Sequence, residues 1–289
     1  MEQYDWTSDE LRRQGAAALE WVANYLEKIR DFPVAPRLKP GELFDALPRE
    51  APFEGEPMEA IFADFEETIL PAVNHWNHPR FHAYFSVSAS GPGILGELLS
   101  AALNVNGMLW MSCPAAVELE LAVMNWLRQW LGLPPEFFGM IHDTASVSTL
   151  HAIGAARAAA DPDLREEGAR PGLVLYTSEH AHSSVEKSAM ALGIGRKNVR
   201  KIRVDSAYRM RPDLLEKAIA EDRAAGRRPF CVVSTVGTTS VTSVDPVAEI
   251  QEVAEREKLW HHIDAAYGGA AAMLEENRWM LAGAERADS

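Results

Sequence analysis

Residues 259–264 read LWHHID and run directly into AAYGG (265–269). A short apolar run that ends in an aspartate and then in small residues is the pattern of a buried strand whose far end carries chemistry. Working outward, FCVVSTV (230–236), VRKIRV (199–204) and LVLY (173–176) are further short β-branched runs. Residues 183–192, 212–224 and 246–258 between them have helical length and spacing. Short apolar strands alternating with helices of ten or more residues predict an α/β fold with a mainly parallel sheet covered on both faces. Such sheets hold ligands at the carboxyl ends of their strands.

Three strand ends are polar. LVLY leads into Thr177-Ser178-Glu179-His180-Ala181-His182-Ser183-Ser184, FCVVSTV into Gly237-Thr238-Thr239-Ser240, and LWHHID stops at Asp264. Asp143-Thr144-Ala145-Ser146 opens a helix running to about Ala160, and its free amides form an anion site. An aspartate at the inner end of an apolar strand is costly unless a cation neutralises it. A metal ion, a buried lysine or arginine, or a protonated pyridine ring could each do so. Ala265 and Ala266 leave room for a flat ring, and a histidine on a neighbouring loop could cover its other face. An anion site, a carboxylate, a flat slot and an aromatic lid together describe pyridoxal 5'-phosphate (PLP).

HIDAAYGG (262–269), AHSSVEK (181–187), VGTTS (236–240), FHAYF (81–85) and MSCPAAVELE (111–120) stand in the order and at the spacing of motifs in one family. The chain resembles the group II pyridoxal-phosphate decarboxylases, above all the aromatic L-amino-acid decarboxylases that include DOPA and tyrosine decarboxylases. The resemblance implies a fold-type I PLP-dependent large domain over residues 86–289 and an N-terminal helical arm over 1–85, without the small C-terminal domain. It implies that Asp264 pairs with the pyridine nitrogen and that His182 stacks on the ring; these are the two catalytic positions. Ala266 would pack on the opposite face, Thr239 would lie near the ring's polar edge, and Ala145 and Ser146 would bind phosphate. Trp76, Tyr84 and Phe85 would line the substrate pocket, with Asn106 and Met108 reaching it from the partner subunit of a homodimer. The implied reaction is decarboxylation of an L-amino acid, aromatic by preference, to an amine and carbon dioxide. Alternatives are a histidine or acidic substrate, although FHAYF argues against glutamate, and the aldehyde-forming branch of the family. The non-enzymatic alternative is an inactive fragment that binds a partner subunit or nothing.

Bland readings stand beside these. Thr238 and Thr239 could merely cap the next segment, and Tyr84 or Phe85 could be core. His180, His182, His262 and Asp264 invite a metal site, but their spacing matches no metal signature, so none is expected. Gly193-Ile194-Gly195 follows a helix instead of a strand and lacks the third glycine of a dinucleotide fingerprint. The phosphate segment departs from the glycine-rich turn of many relatives, and Ser86 and Val87 depart from the animal enzymes beside FHAYF.

Composition narrows the classes. The 289 residues carry a net charge of −14, which opposes long-range attraction to nucleic acid or an anionic membrane. The basic run Arg196, Lys197, Arg200, Lys201 and Arg203 is interrupted by Val199 and Ile202 and reads as a solvated loop entering a strand. Two cysteines, Cys113 and Cys231, are too few for a disulfide framework. The acidic start MEQYDWTSDE is no signal peptide, and no apolar run reaches the ~18 residues of a membrane span, so a cytoplasmic protein is expected. Thr7 to Glu10 forms a capping box before a helix reaching Arg30. Pro33, Pro36, Pro40, Pro48, Pro52 and Pro57 then impose an extended strap, and a second amphipathic helix spans Met58 to Ile69. Such an arm has no core of its own and must lie against other structure. Helices are expected at 94–105 and 115–131.

The family's cofactor lysine follows an Ala-Asp-Ser motif by about seven residues, and this chain stops inside that motif at Ser289. A piece of a longer enzyme is favoured over a truncated, inactive relative. Neither Lys187 nor Lys258 stands in its place. Borohydride treatment in the presence of PLP should therefore leave no single lysine of this chain stoichiometrically labelled, which peptide mapping checks.

Overall fold

A computed structural model describes residues 6–168 and 170–289. The chain divides into two compact units, Met1–Asn104 and Val105–Ser289.

The first unit is helical. Helix α1 (Ser8–Glu27) begins where the Thr7 hydroxyl accepts the Glu10 amide, so half of the capping box forms. The Glu10 carboxylate turns instead to Arg13 and Gln14. A short helix α2 (Glu42–Ala46) interrupts the strap. The single helix expected from Met58 to Ile69 is α-helical only as α3 (Met58–Asp64). It continues as a π turn (Phe65–Ile69) and a 3-10 turn (Leu70–Ala72) that contains Pro71. Arg13 pairs with Glu59 at 2.8 Å, and Trp21 meets Phe65 edge-on with 5.1 Å between ring centres, fastening α1 to α3. Among the described residues of this unit only the polar Gln14, His75 and His78 are fully buried. Helix α4 (Gly91–Leu103) follows, with Leu95, Leu98, Leu99 and Leu103 exposed.

The second unit opens with α5 (Pro114–Trp130), α6 (Ala145–Ala160) and the short α7 (Leu164–Glu167). There follow β1 (Leu173–Ser178), α8 (Ser184–Ala191), β2 (Val199–Ile202), α9 (Pro212–Ala224), β3 (Arg228–Thr235), α10 (Val247–Glu257) and β4 (Trp260–Asp264). The four strands form one parallel sheet in the order β2-β1-β3-β4. Leu173, Leu175, Cys231 and Val233 pack against Ile153 and Ala156 of α6 and against α8. The alternate residues Val174, Tyr176 and Val232 pack against α9 and α10 through Leu215, Ile219, Ile250 and Val253. This period of two is the pleat of a sheet buried on both faces.

Of the basic run, Arg196 and Lys197 lie in a 3-10 turn, Arg200 pairs with Glu221 and Asp222, and Lys201 with Glu186. No helix among the described residues is long and apolar enough to cross a membrane.

Polar side chains lock the last two strands. The buried His261 ring accepts the Ser234 hydroxyl at Nε2 (2.7 Å) and donates from Nδ1 to the Gln251 carbonyl oxygen (2.7 Å). An amide oxygen can only accept, which settles the tautomer. Asp245, also buried, accepts the backbone amides of Met210 (2.7 Å) and Thr235 (2.9 Å). Burial pushes the His261 imidazole from 6.5 down to about 3 and the Asp245 carboxyl from 3.8 up to about 6. The neutral histidine stabilises the fold fully above its unfolded value and loses this as pH falls towards 3. The raised aspartate has the opposite sign, its contribution being lost as pH rises from 3.8 towards 6. The histidine's displacement is larger, and His262 is lowered in the same direction by burial. From about pH 4 to 6 the His261 and Asp245 slopes cancel, so the burial-lowered His262 makes stability rise with pH there. Urea unfolding across that range should show His261→Gln with a flattened or reversed slope.

Candidate active site

Helix α6 determines what lies at the carboxyl ends of the strands. The Arg228 guanidinium, at the start of β3, donates to the carbonyl of Ala160 at the end of α6 (3.0 Å). The helix thus runs antiparallel to the strands, and its first residues, Ala145 and Ser146, lie at the strands' carboxyl ends. Thr144 caps it, accepting the Val147 amide with its hydroxyl. Ala145 and Ser146 are exposed at this N-terminus, where free amides and the helix dipole favour an anion.

The loop after β1 carries His182. Its Nδ1 accepts the Ser184 amide (3.2 Å) and lies 3.0 Å from the Ser184 hydroxyl. A backbone amide only donates, so in the neutral ring the proton sits on Nε2. The His182 side chain is exposed, while Ser184 is buried at the start of α8. His180 turns away to pack edge-on against Tyr208, with 5.3 Å between ring centres.

Between the ends of β3 and β4 the loops touch. Gly237 has φ +88°, a conformation that side chains disfavour, and turns the chain out of β3. Gly268 donates to the carbonyl of Val236 (3.0 Å), and a Cβ at Gly268 would come within 2.6 Å of that oxygen. Thr238 is buried and exchanges hydrogen bonds with Ser243, so its role is to close the turn. Thr239, beside it, is exposed.

Asp264 ends β4 in register with Thr235 of β3. The pleat places both on the α6 face, with Cys231, Val233 and Trp260. The carboxylate is half-buried and accepts the Ala266 amide at 3.2 Å. Among the described residues no lysine or arginine pairs with it. The Thr235 hydroxyl, by contrast, is enclosed and has no hydrogen-bond partner. A carboxylate lacking a cation beside an unsatisfied buried hydroxyl fits a site that receives a polar, positively charged ring. The sequence reading did not single out Thr235; the signal was its place in the strand, five residues before the end of the Ser-Thr-Val-Gly-Thr-Thr-Ser run.

Ala145, Ser146, His182, Thr239, Asp264 and Ala266 therefore gather at one end of one sheet. The expected pocket residues are placed within their own units. In the first, Trp76 stacks on Tyr84 at 5.6 Å and on Phe81 at 4.9 Å, with Tyr84 strongly exposed at φ +56° and Phe85 half-buried. In the second, the Asn106 side chain accepts the Met108 amide and both residues are exposed. Among the described residues no group of three or more histidine, cysteine, aspartate or glutamate side chains is arranged to hold a metal ion.

A family model described as the pyridoxal-dependent decarboxylase conserved domain matches residues 40–289. The chain is 42% identical to L-tyrosine/L-DOPA decarboxylase 2 of Lophophora williamsii, over 98% of this chain and 55% of that protein. It is 39% identical to phenylacetaldehyde synthase of Arabidopsis thaliana, over 98% of this chain and 59% of that protein. The crystal structure of Catharanthus roseus tryptophan decarboxylase with L-tryptophan superposes with a TM-score of 0.93 at 36% identity. That match covers 99% of this chain and 63% of the other. The chain thus spans somewhat over half the length of these relatives.

Gly268→Ala should cost about 1–3 kcal/mol, because backbone and not a flexible side chain meets the added carbon. Urea denaturation of the two proteins measures it.

Proposed function

This chain belongs to the pyridoxal-dependent decarboxylase family, and on that premise we propose that it forms the cofactor-holding part of an enzyme that decarboxylates L-amino acids, aromatic ones by preference. The observation that carries the reading is the Asp264 carboxylate, half-buried at a strand end, without a cationic partner and beside an unsatisfied hydroxyl. PLP, when bound, supplies an electron sink for the carbanion left as carbon dioxide departs.

The chain's own residues would act as follows. Asp264 holds a proton at the pyridine nitrogen and keeps the ring cationic. His182, its Nδ1 already engaged by Ser184, covers one ring face and offers Nε2–H to a substrate carboxylate. Ala266 leaves the other face flat, and Thr239 meets the ring's polar edge. Ala145 and Ser146 bind the phosphate with the amides of α6. Trp76, Tyr84 and Phe85 line the substrate pocket, and Asn106 and Met108 serve the site of a partner subunit. Homodimerisation, with residues 1–85 as the wrapping arm, is supported by the row of exposed leucines on α4. The two free cysteines accord with a cytoplasmic protein. Lys187 is exposed on α8, and Lys258 precedes β4 at the opposite end of the sheet from the site. Neither suits covalent attachment of the cofactor, so this stretch alone is taken to be inactive. The likeness to phenylacetaldehyde synthase favours an aldehyde-forming enzyme as the second reading.

The test is made on the full-length protein with PLP. Offered L-tyrosine, L-DOPA, L-tryptophan, L-phenylalanine, L-histidine and L-glutamate, it should release carbon dioxide and amine from an aromatic member. Aldehyde in place of amine would move it to the second reading. Turnover confined to histidine or glutamate would overturn the aromatic preference. Asp264→Asn should weaken PLP binding by roughly 100-fold or more, the scale of removing one partner from a buried charge pair, as read by cofactor titration.

A further inference from the structure

Thr235 carries a buried hydroxyl for which the proposed roles have no use. The residue is 4% exposed, its Oγ1 is shut off from solvent, and among the described residues nothing donates to it or accepts from it. Its backbone, in contrast, is fully committed: the amide goes to the Asp245 carboxylate and the carbonyl to the Asp245 amide, each at 2.9 Å. The strand is therefore clamped, and the side chain has only rotation about χ1 left to it. An unpaired buried hydroxyl destabilises a fold, so one in this place points to a partner in another state of the molecule.

The sheet register says which partner. Thr235 and Asp264 are paired residues of the parallel β3–β4 ladder and project to the same face, towards α6. Side chains in register on adjacent strands have Cβ atoms roughly 5 Å apart, within reach of a hydrogen bond. The Asp264 carboxylate now takes the amide of Ala266, two residues on in its own turn, and has lone pairs to spare. A carboxylate facing a ring cation would be held better by a donor from the rigid strand than by a turn alone.

We propose that Thr235 is a positioning residue for Asp264: its hydroxyl donates to the carboxylate when a protonated pyridine ring occupies the site, keeping that carboxylate ionised and aimed. This rests on the reading of the site as one for PLP. Two features separate such a role from mere packing. The hydroxyl matters only when the ring carries a basic nitrogen, and its removal does not harm the empty protein, where it is unsatisfied.

The experiment uses the full-length protein as purified, after resolution of any cofactor, with Thr235→Val and Thr235→Ser. Affinity is measured for PLP and for its analogue with carbon in place of the ring nitrogen, and stability of the cofactor-free proteins by urea unfolding. Thr235→Val should bind PLP roughly 10- to 100-fold more weakly, the range for a hydrogen bond to a charged group. It should bind the carbon analogue as the unsubstituted protein does and unfold at the same or higher urea. Thr235→Ser should restore PLP affinity. Unchanged PLP affinity in Thr235→Val overturns the inference, as does an equal loss for both ligands or a loss that serine fails to rescue. An unsubstituted protein that binds neither ligand overturns the PLP reading itself, and this inference with it.

Discussion

The parallel pairing of β3 with β4 is the constraint on which the site depends. Side chains alternate faces along a strand, so a slip of one residue would carry Asp264 from the α6 side to the α10 side. There it would face the apolar cluster of Val236, Val247 and Ala284, where its neighbour Ile263 packs, instead of the helix N-terminus. Hydrophobic pattern alone holds this register weakly near the strand ends, where Ser234, Thr235, His261 and His262 replace aliphatic residues. The Ser234–His261–Gln251 chain supplies what the pattern lacks, because each hydrogen bond is correct in only one register. Asp245 adds a second lock by taking the Thr235 amide from outside the sheet. Both locks are buried polar groups whose partners are fully specified, the condition under which such groups favour one structure.

On the proposed reading of the site, a strongly acidic chain would hold an anionic ligand. A net charge of −14 repels phosphate at long range, but that field is screened within about 10 Å at 0.1 M salt. At contact distance the amides at the start of α6 dominate, and no acidic residue lies in the helix's first turn. The carboxylate proposed to face the ring cation, Asp264, stands instead on β4. Opposite charges of one ligand would thus be met by separate elements, each fixed by the sheet.

Much of this was legible in the sequence. All four strands and the helices between them were located because apolar runs of four to seven residues are unambiguous when both sheet faces are buried. The strand-end rule singled out the polar segments 177–184 and 237–240 and Asp264, and the family resemblance then chose His182 and Thr239 within those segments. The errors lie where local pattern meets other forces. β3 starts at Arg228, ahead of the apolar run, because its amide finds the carbonyl of Gly172 across the sheet. β2 stops at Ile202, before Arg203 and Val204, where the chain turns back to bridge Val204 with Met210. The Met58 helix loosens into a π turn at Phe65 within an otherwise unbroken amphipathic pattern. The polar locks at His261 and Asp245 were not foreseen at all. Polar residues in a buried strand announce themselves by composition, but their partners, Gln251 on the preceding helix and the Met210 amide 35 residues from Asp245, appear only with the tertiary structure.

Ser234 and Thr235 condense the difference between structural and functional polarity. They are consecutive hydroxyl residues on one strand, both buried, facing opposite sides of the sheet. Towards α10 the Ser234 hydroxyl is saturated by a neutral histidine that is itself saturated by glutamine. Towards α6, among the described residues, the Thr235 hydroxyl has no partner and the carboxylate beside it pairs with no lysine or arginine. A sequence selected for stability alone would treat the two faces alike, since valine in place of an unsatisfied threonine removes a desolvation cost without changing shape. The asymmetry follows if one face belongs wholly to the fold and the other is completed by a ligand.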